Sequence, residues 1–273
     1  MDKIETKHRR KLNEDQAQVL ELLYKFRFGS NDLFAQYFGK KDRSFVFKRL
    51  KILLDQALIG KRFDSSYRIQ GKPAAYYLLP AGARRLPEYR DADDADEINI
   101  KGIYKDKIVS EQFVARCLDI FTLYNRFTSV YDDKLVFLTK SDLASRDHFP
   151  KQPPDAHLRF ELDEDDKEFF LLIHYSHDQF FAAIRRLQHY VKHAGSEEWE
   201  KAEQDFPAIV MVFESQTDQK RFHKKAARIM NEAPDDVLLY TATLDDLKAI
   251  TNADQEVLCS FDDPDEMFSF LDA

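Results

Sequence analysis

The sequence predicts a mixed α/β protein in which a small, mostly helical module precedes a larger sheet domain. Three segments near the N-terminus carry apolar side chains at helical spacing, and glycines separate them. Later segments are alternating or continuously apolar, as residues 208–213 (AIVMVF) are, and such runs are typical of strands. A chain of 273 residues with 44% hydrophobic content is long enough to form two separate cores.

Helices are predicted over residues 12–28, 32–38 and 43–58, because apolar side chains recur there every three or four positions. Asn13 can cap the first helix with its side chain, and Gly29 is placed to end it. Three helices joined by short glycine-containing turns are typical of a helix-turn-helix.

After Gly60 the periodicity changes from helical to alternating. Residues 61–69 and 74–79 are predicted strands, and a Gly-Lys-Pro turn signal lies between them. A hairpin directly after the third helix corresponds to a wing. Residues 80–82 (PAG) close the module, and a short helix is predicted to start at 83–86. We therefore predict that residues 1–90 form a winged helix-turn-helix.

The remainder of the chain is predicted to be one α/β domain, 109–273, joined through an acidic linker at 91–108 whose first seven residues read DADDADE. The predicted element order αβββαβαββ implies a sheet with some antiparallel pairing. In chain order the predicted elements are a helix at 109–127, strands at 135–138, 156–162 and 169–175, a helix at 178–193, a strand at 208–213, a helix at 218–230, and strands at 237–241 and 256–261.

Charge is divided unevenly between these two parts. The net charge is −8, yet residues 1–90 hold 20 Lys and Arg against 10 Asp and Glu, whereas residues 91–273 hold 21 against 39. A basic module joined to an acidic part is typical of nucleic-acid-binding proteins. Because the acidic part repels phosphate groups, we expect DNA contact to be confined to the N-terminal module. The acidic domain is expected to serve assembly or to bind a protein partner.

The third predicted helix has an apolar side and a basic side. At about 100° per residue, the apolar side is centred on Val46, and Phe45 and Phe47 flank it. A basic outer face fits the major groove of double-stranded DNA, where lysines contact phosphates or guanine edges. The residues on the apolar side are Val46, Leu50, Leu53, Leu54 and Ala57.

Ten residues are candidate contacts to double-stranded DNA, six in or just before the third helix and four in the hairpin. Two alternatives to DNA binding stay open, namely an ordinary solvated basic face and a winged helix that binds protein. Winged helices also form dimers, so a homodimer is a further expectation. The candidates are Lys40, Lys41, Arg43, Ser44, Lys48 and Lys51 in the helix region, and Lys61, Arg62, Arg68 and Lys72 in the hairpin.

Four short segments share patterns with a known family. They are residues 76–86 (YYLLPAGARRL) against the pattern yyLTpxG, 154–158 (PDAHL) against PDa, 169–174 (FFLLIH) against yFLEiD, and 182–190 (AAIRRLQHY) against rfrrKlxxY. In these segments the chain resembles the replication-relaxation family of plasmids and integrated mobile elements, and the resemblance extends over most of the chain. It implies a winged helix followed by a restriction-endonuclease-like core. It also implies a role in regulating transcription, replication or transfer of a mobile element.

The resemblance also directs attention to a nuclease site. Restriction-endonuclease-like cores bind Mg²⁺ through an Asp on one strand and an acid on the next, with a nearby Lys that stabilises the phosphate. Asp155 matches the first acid, but Leu172 and His174 occupy the positions where the family has acids, and no lysine takes the third place. We therefore predict a degenerate, non-catalytic core with Asp155 as a remnant. The alternative is a Mg²⁺-dependent nuclease that uses Asp155 with other acids.

Several other classes of protein are disfavoured. No run of eighteen apolar residues is present to span a membrane, and the polar start of the chain lacks the apolar core of a secretory signal. Cys117 and Cys259 lie far apart and outside any C-x-x-C pair, so a reducing, cytoplasmic location is expected. With no glycine-rich phosphate loop and no metal-ligand motif, neither a cofactor nor a metal is predicted.

Overall fold

The computed structural model divides the chain into two units, Met1–Leu118 and Asp119–Ala273. Because the division falls inside one long helix, residues 109–118 are grouped with the first unit, although the sequence analysis assigns them to the α/β domain. The acidic run 91–97 of the predicted linker lies outside the described residues. The described residues are 11–90, 98, 102–144, 146, 148–163, 165–201 and 204–273.

The first unit consists of short helices and a three-stranded sheet. The predicted cap of its first helix is confirmed, because the side chains of Asn13 and Gln16 each accept a hydrogen bond from the backbone N–H of the other residue. Ser30 and Asp42 cap the next two helices with their side chains, which accept hydrogen bonds from the backbone N–H groups of Leu33 and Ser44. In chain order the elements are α1 (Glu14–Phe26), β1 (Phe28–Ser30), α2 (Asn31–Tyr37), α3 (Arg43–Asp55), β2 (Ile59–Arg62), α4 (Ser65–Ile69), β3 (Ala75–Leu78) and α5 (Pro80–Ala83).

Two predicted helix boundaries in this unit are shifted. The first helix ends before residue 28, because Arg27 has a φ of 67° and the next three residues form β1. The short helix predicted at 83–86 lies earlier, as α5, since Pro80 at its first position is already set to a helical φ. Strands β1 and β2 both pair antiparallel with β3, giving the sheet order β1-β3-β2.

The predicted strand 61–69 is wrong beyond Arg62, where β2 ends and is followed by helix α4. The Asp64 carboxylate accepts hydrogen bonds from the backbone N–H groups of Ser66 at 2.8 Å and Tyr67 at 3.2 Å. This side-chain cap stabilises one short helix where the alternating pattern had indicated a strand. The hairpin is thus formed by β2 and β3, with α4 in the connection between them.

The apolar side of α3 agrees with the prediction in its central part. Its fully buried members are Val46, Leu50 and Leu53. Leu54 is half-buried, and Ala57 is exposed because the helix ends at Asp55 and Ala57 takes a φ of 53°. Phe47 was expected to flank the apolar side, but it is 52% exposed and belongs to the outer face.

The second unit is built on a seven-stranded mixed sheet. The predicted order αβββαβαββ is confirmed, with two short helices and a final two-residue strand in addition. In chain order the elements are α6 (Glu111–Tyr131), which begins in the first unit, β4 (Leu135–Thr139), β5 (Ala156–Phe160), β6 (Lys167–His174), α7 (Phe180–Ala194), α8 (Glu197–Glu200), β7 (Ala208–Phe213), α9 (Gln216–Met230), β8 (Leu239–Thr243), α10 (Leu244–Ala249), β9 (Leu258–Ser260) and β10 (Met267–Phe268).

The sheet order is β10-β9-β8-β7-β6-β5-β4. The pairs β4–β5 and β5–β6 are antiparallel, whereas the pairs β6–β7 and β7–β8 are parallel and are joined by the crossover helices α7 and α9. All six residues of β7 are buried, as expected for a central strand. Phe170 and Met211 of the sheet share one core with Leu187 of α7 and Phe222 of α9.

The longest described helix, α6, shows buried side chains at helical spacing, among them Val114, Phe121 and Tyr131. Exposed polar residues, such as Glu111 and Ser129, occupy other positions of the helix. No helix in the described part of the chain has both the length and the apolar composition needed to cross a membrane.

Candidate nucleic-acid interface and the Asp155 cluster

The outer face of α3 begins at the turn that follows α2. Gly39 has a φ of 60° and no atom within 4 Å of the place where a Cβ would be, so glycine is favoured there by its backbone conformation alone. Lys40 and Lys41 follow in exposed positions, just before the N-cap of α3. Lys48 and Lys51 continue the exposed face along the helix itself.

Seven of the ten candidate contacts are exposed cations that form no ion pair with a described residue. The Nζ atoms of two of them lie above aromatic rings, Lys40 at 5.2 Å from the Phe45 centroid and Lys61 at 4.9 Å from the Phe63 centroid. The charged groups of all seven side chains are therefore accessible to an anionic ligand. They are Lys40, Lys41, Lys48, Lys51, Lys61, Arg68 and Lys72.

Two further candidates lie at the start of α3 and already have partners. Arg43 pairs with Asp32 at 2.9 Å, and both side chains are exposed. Such a surface pair contributes only about 0–1 kcal/mol and exchanges easily for a phosphate. The Ser44 hydroxyl donates to Asp42 at 2.5 Å, and this bond lowers the pKa of the Asp42 carboxyl. Asp42 is therefore ionised at neutral pH, next to the basic face.

Arg62, the tenth candidate, points into the first unit. Its guanidinium donates to the Val109 carbonyl at 2.7 Å and forms an ion pair with Glu111. The other oxygen of Glu111 accepts the Tyr67 hydroxyl at 2.6 Å. Burial, together with this bond to a carboxylate, raises the pKa of Tyr67 to about 12. Glu111 thus links β2 to α4, the helix in the connection between the two hairpin strands.

Three exposed apolar residues of the first unit are not among the candidates. Phe47 on α3 is 52% exposed, Phe63 is 41% exposed and Ile69 at the end of α4 is 85% exposed. The exposure of Phe47 could have been predicted from the sequence, because at about 100° per residue Phe47 lies between Arg43 and Lys51 on the outer face of the helix. The other two depend on the unpredicted helix α4.

Asp155 lies just before β5 in the second unit and is buried. Its Oδ1 accepts the Lys140 ammonium at 2.8 Å, and its Oδ2 accepts Arg186 at 2.7 Å and the Ile173 backbone N–H at 2.8 Å. Burial works against the charge on Arg186, but the Asp155 carboxylate outweighs it and raises the pKa of the guanidinium. We call Asp155, Lys140, Arg186 and the Ile173 N–H the Asp155 cluster.

The Asp155 cluster does not fit the Mg²⁺ that the family resemblance implies. The two positions predicted for the second acid hold Leu172 and His174, and neither side chain has a carboxylate. Leu172 is fully buried in the core, and His174 is buried as well. Among the described residues, no three acids, histidines or cysteines are grouped in a way that could hold a metal ion. Two cations and a backbone donor occupy the oxygens of Asp155 instead.

No protein-family model matches this chain, and no curated protein matches it. Among solved structures, the chain resembles the restriction endonuclease FokI, with a TM-score of 0.32 and 14% identity, and FokI bound to DNA, with a TM-score of 0.31 and 11% identity. Each alignment covers 86% of this chain but only 43% of the other, so the chain spans less than half the length of these structures. The similarity is weak, and the resemblance to the replication-relaxation family stays a prediction.

Proposed function

We propose that the first unit is a winged helix that binds double-stranded DNA, with the outer face of α3 in the major groove. The observation that carries the proposal is the set of seven exposed cations that form no ion pair with a described residue. Phosphate neutralisation by such side chains supplies most of the affinity of a DNA-binding protein.

The order of elements supports the same proposal. Helices α2 and α3 are separated by five residues, and the antiparallel pair β2–β3 follows α3. In helix-turn-helix proteins the second helix of this pair enters the major groove, and a hairpin that follows it reaches the adjacent backbone. Cations on α3 and on the hairpin would therefore lie close to the DNA phosphates.

Within this proposal the residues have different roles. Lys48 and Lys51 contact phosphates or guanine edges, and Arg68 and Lys72 contact the backbone beside the groove. Phe47 lies on the same face and contacts thymine methyl groups, the apolar feature of the major groove. Arg62 positions the hairpin through Glu111 rather than touching DNA.

The wider role that follows is regulation of transcription, replication or transfer of a mobile element, with the second unit serving assembly, dimerisation or a protein partner. The Asp155 cluster speaks against the alternative of a Mg²⁺-dependent nuclease, because the carboxylate is held by Lys140 and Arg186. A protein-binding winged helix is the outcome if duplex DNA fails to bind at low salt.

The test is a charge reversal on the outer face of α3. In the full chain, Lys48→Glu together with Lys51→Glu should weaken binding of a fluorescent duplex by at least about tenfold, and lower the slope of log affinity against log salt by about 2. The matched control is Lys105→Glu together with Lys107→Glu, which changes the net charge equally at two other exposed lysines of the first unit.

Unchanged melting temperatures in both variants would show that the fold is kept. If the control variant loses as much affinity as the α3 variant, net charge rather than the α3 face drives binding. Equal binding by the α3 variant and the parent would overturn the major-groove assignment.

A further inference from the structure

The second unit is acidic as a whole, yet one of its helices has a basic outer side. Residues 119–273 hold 17 Lys and Arg against 32 Asp and Glu. In α9, Phe222 and Ala226 are fully buried against the sheet. At about 100° per residue, the opposite side of the helix carries exposed cations along more than two turns. These cations are Lys220, Arg221, Lys224, Lys225 and Arg228.

Helix α7 extends this basic side. Phe181, Arg185 and Lys192 are exposed and follow one stripe of α7, at spacings of four and seven residues. The guanidinium of Arg221 lies 4.0 Å from the centroid of Phe180, so the flank of α9 that carries Arg221 faces the start of α7. Helix α7 contains no acidic residue. We call the five cations of α9 together with Arg185 and Lys192 the α7–α9 face.

The two acids at the ends of α9 do little to neutralise its cations. Asp218, the one acid within α9, is half-buried and accepts the Ser215 hydroxyl at 2.9 Å. Glu232 lies 3.7 Å from Arg228, but these side chains are 74% and 90% exposed. Exposed pairs of this kind contribute at most about 1 kcal/mol and yield to a stronger anion.

We propose that the α7–α9 face binds the phosphate backbone of double-stranded DNA without reading its sequence. The α9 cations extend over about 12 Å of helix axis, and a neighbouring helix lies about 8–10 Å away. Lysines and arginines spread over such a surface match the closely spaced phosphates of a duplex. This surface lies outside α3, in the second unit, and the proposal differs from the expectation that DNA contact is confined to the N-terminal module.

The apolar content of the surface favours a duplex over a single strand. Single-stranded nucleic acid is held by rows of exposed aromatic side chains on which successive bases stack. On the described α7–α9 face, Phe181 is the single large apolar side chain that is mostly exposed, at 58%, and Arg185 lies 4.9 Å from its ring centroid. A surface that has cations but no row of exposed aromatic side chains suits a duplex, whose bases are already paired and stacked.

The experiment separates this site from the one on α3. Lys220→Glu together with Lys224→Glu is introduced into the full parent chain and into the Lys48→Glu plus Lys51→Glu variant. The matched control reverses Lys134 and Lys201, two exposed lysines of the second unit that lie outside the face. Binding of a labelled duplex, a single strand of equal length and polyglutamate is measured at about 50 mM and 200 mM salt.

We expect the α9 reversal to weaken duplex binding about tenfold or more in both backgrounds, and the control to stay close to its own parent. Equal affinity of the α9 variant and its control in both backgrounds would overturn the proposal and leave the α3 proposal untouched. Tighter binding of the single strand, or binding of polyglutamate as strong as that of DNA, would overturn the assignment to duplex DNA. Loss of binding in the α3 variant alone would support α3 and reject the α7–α9 face.

Discussion

The outer face of α3 and the Asp155 cluster both contain basic side chains, but these side chains have different surroundings. On α3, Lys48 and Lys51 are exposed and form no ion pair with a described residue. In the Asp155 cluster, Lys140 and Arg186 are closed onto one buried carboxylate. A cation held by a carboxylate is part of the fold, whereas a cation left open is available to a ligand. The position of the nearest acid, rather than the count of positive residues, separates the two.

The comparison also separates stability from binding. Removing an exposed lysine changes the free energy of unfolding by roughly 0.5 kcal/mol or less. Removing one partner of a buried ion pair costs about 3–5 kcal/mol, because the other charges stay buried without compensation. Substitutions in the two places should therefore affect different measurements, and five predictions follow from that difference, from the largest expected effect to the smallest.

Asp155→Ala should destabilise the second unit by about 3–5 kcal/mol, because Arg186 and the Ile173 N–H lose their acceptor in the interior. The free energy of unfolding is obtained from urea titration. The control is Asp163→Ala, at an exposed position between β5 and β6, which should change it by roughly 0.5 kcal/mol or less.

The same variant tests the nuclease alternative. Parent protein and Asp155→Ala are incubated with supercoiled plasmid and Mg²⁺ or Mn²⁺, and we expect no nicking by either protein. Cleavage by the parent that disappears in a folded Asp155→Ala variant would identify Asp155 as a metal ligand. It would contradict the conclusion that Lys140 and Arg186 only compensate the Asp155 charge within the fold.

Glu111→Gln should cost about 1 kcal/mol in the first unit, since Arg62 loses its ion pair with a half-exposed carboxylate and Tyr67 keeps only a neutral acceptor. Arg62 is the one DNA-contact candidate of the hairpin that is closed onto a carboxylate. DNA affinity in Glu111→Gln should fall less than in the Lys48→Glu plus Lys51→Glu variant. A larger fall, at full stability, would place Glu111 or Arg62 in direct contact with DNA.

The same contact makes the first unit sensitive to high pH. The pKa of Tyr67 is about 12 in the folded chain, above its ordinary value of about 10. Folding therefore favours the protonated phenol, and its contribution is complete below about pH 10 and is lost as pH rises towards 12. Thermal unfolding recorded across this range should show a smaller decline for Tyr67→Phe than for the parent. An equal decline would assign the sensitivity to other groups.

Sequence patterns predicted the larger elements because their signals are local. The apolar spacing of α3, the capping side chain of Asn13 and the continuous apolar run of β7 each lie within one stretch of chain. Helix α4 was missed because a single side-chain cap at Asp64 decides its conformation against an alternating pattern.

Partners that are distant in sequence could not be predicted in this way. Arg186 and Lys140 lie 31 and 15 residues from Asp155, and Glu111 lies 49 residues from Arg62. From the sequence, Arg62 therefore resembled Lys61 as a DNA contact, and Asp155 resembled a metal ligand. Only the tertiary contacts show which charges are already compensated.

Phe47 offers the smallest expected effect and the sharpest test of base contact. If its ring touches thymine, removal of each contacted methyl group should cost about 0.8 kcal/mol, or about fourfold in affinity. Duplexes of alternating A·T pairs are compared with the same duplexes carrying uracil, so that the phosphates stay the same and only the methyl groups are lost. The parent should bind the uracil duplex more weakly, and Phe47→Ala should bind both alike. Phe63→Ala, at an exposed aromatic outside α3, should keep the parental preference. A parent that binds both duplexes equally would remove Phe47 from base readout while the cations of α3 kept their role on the backbone.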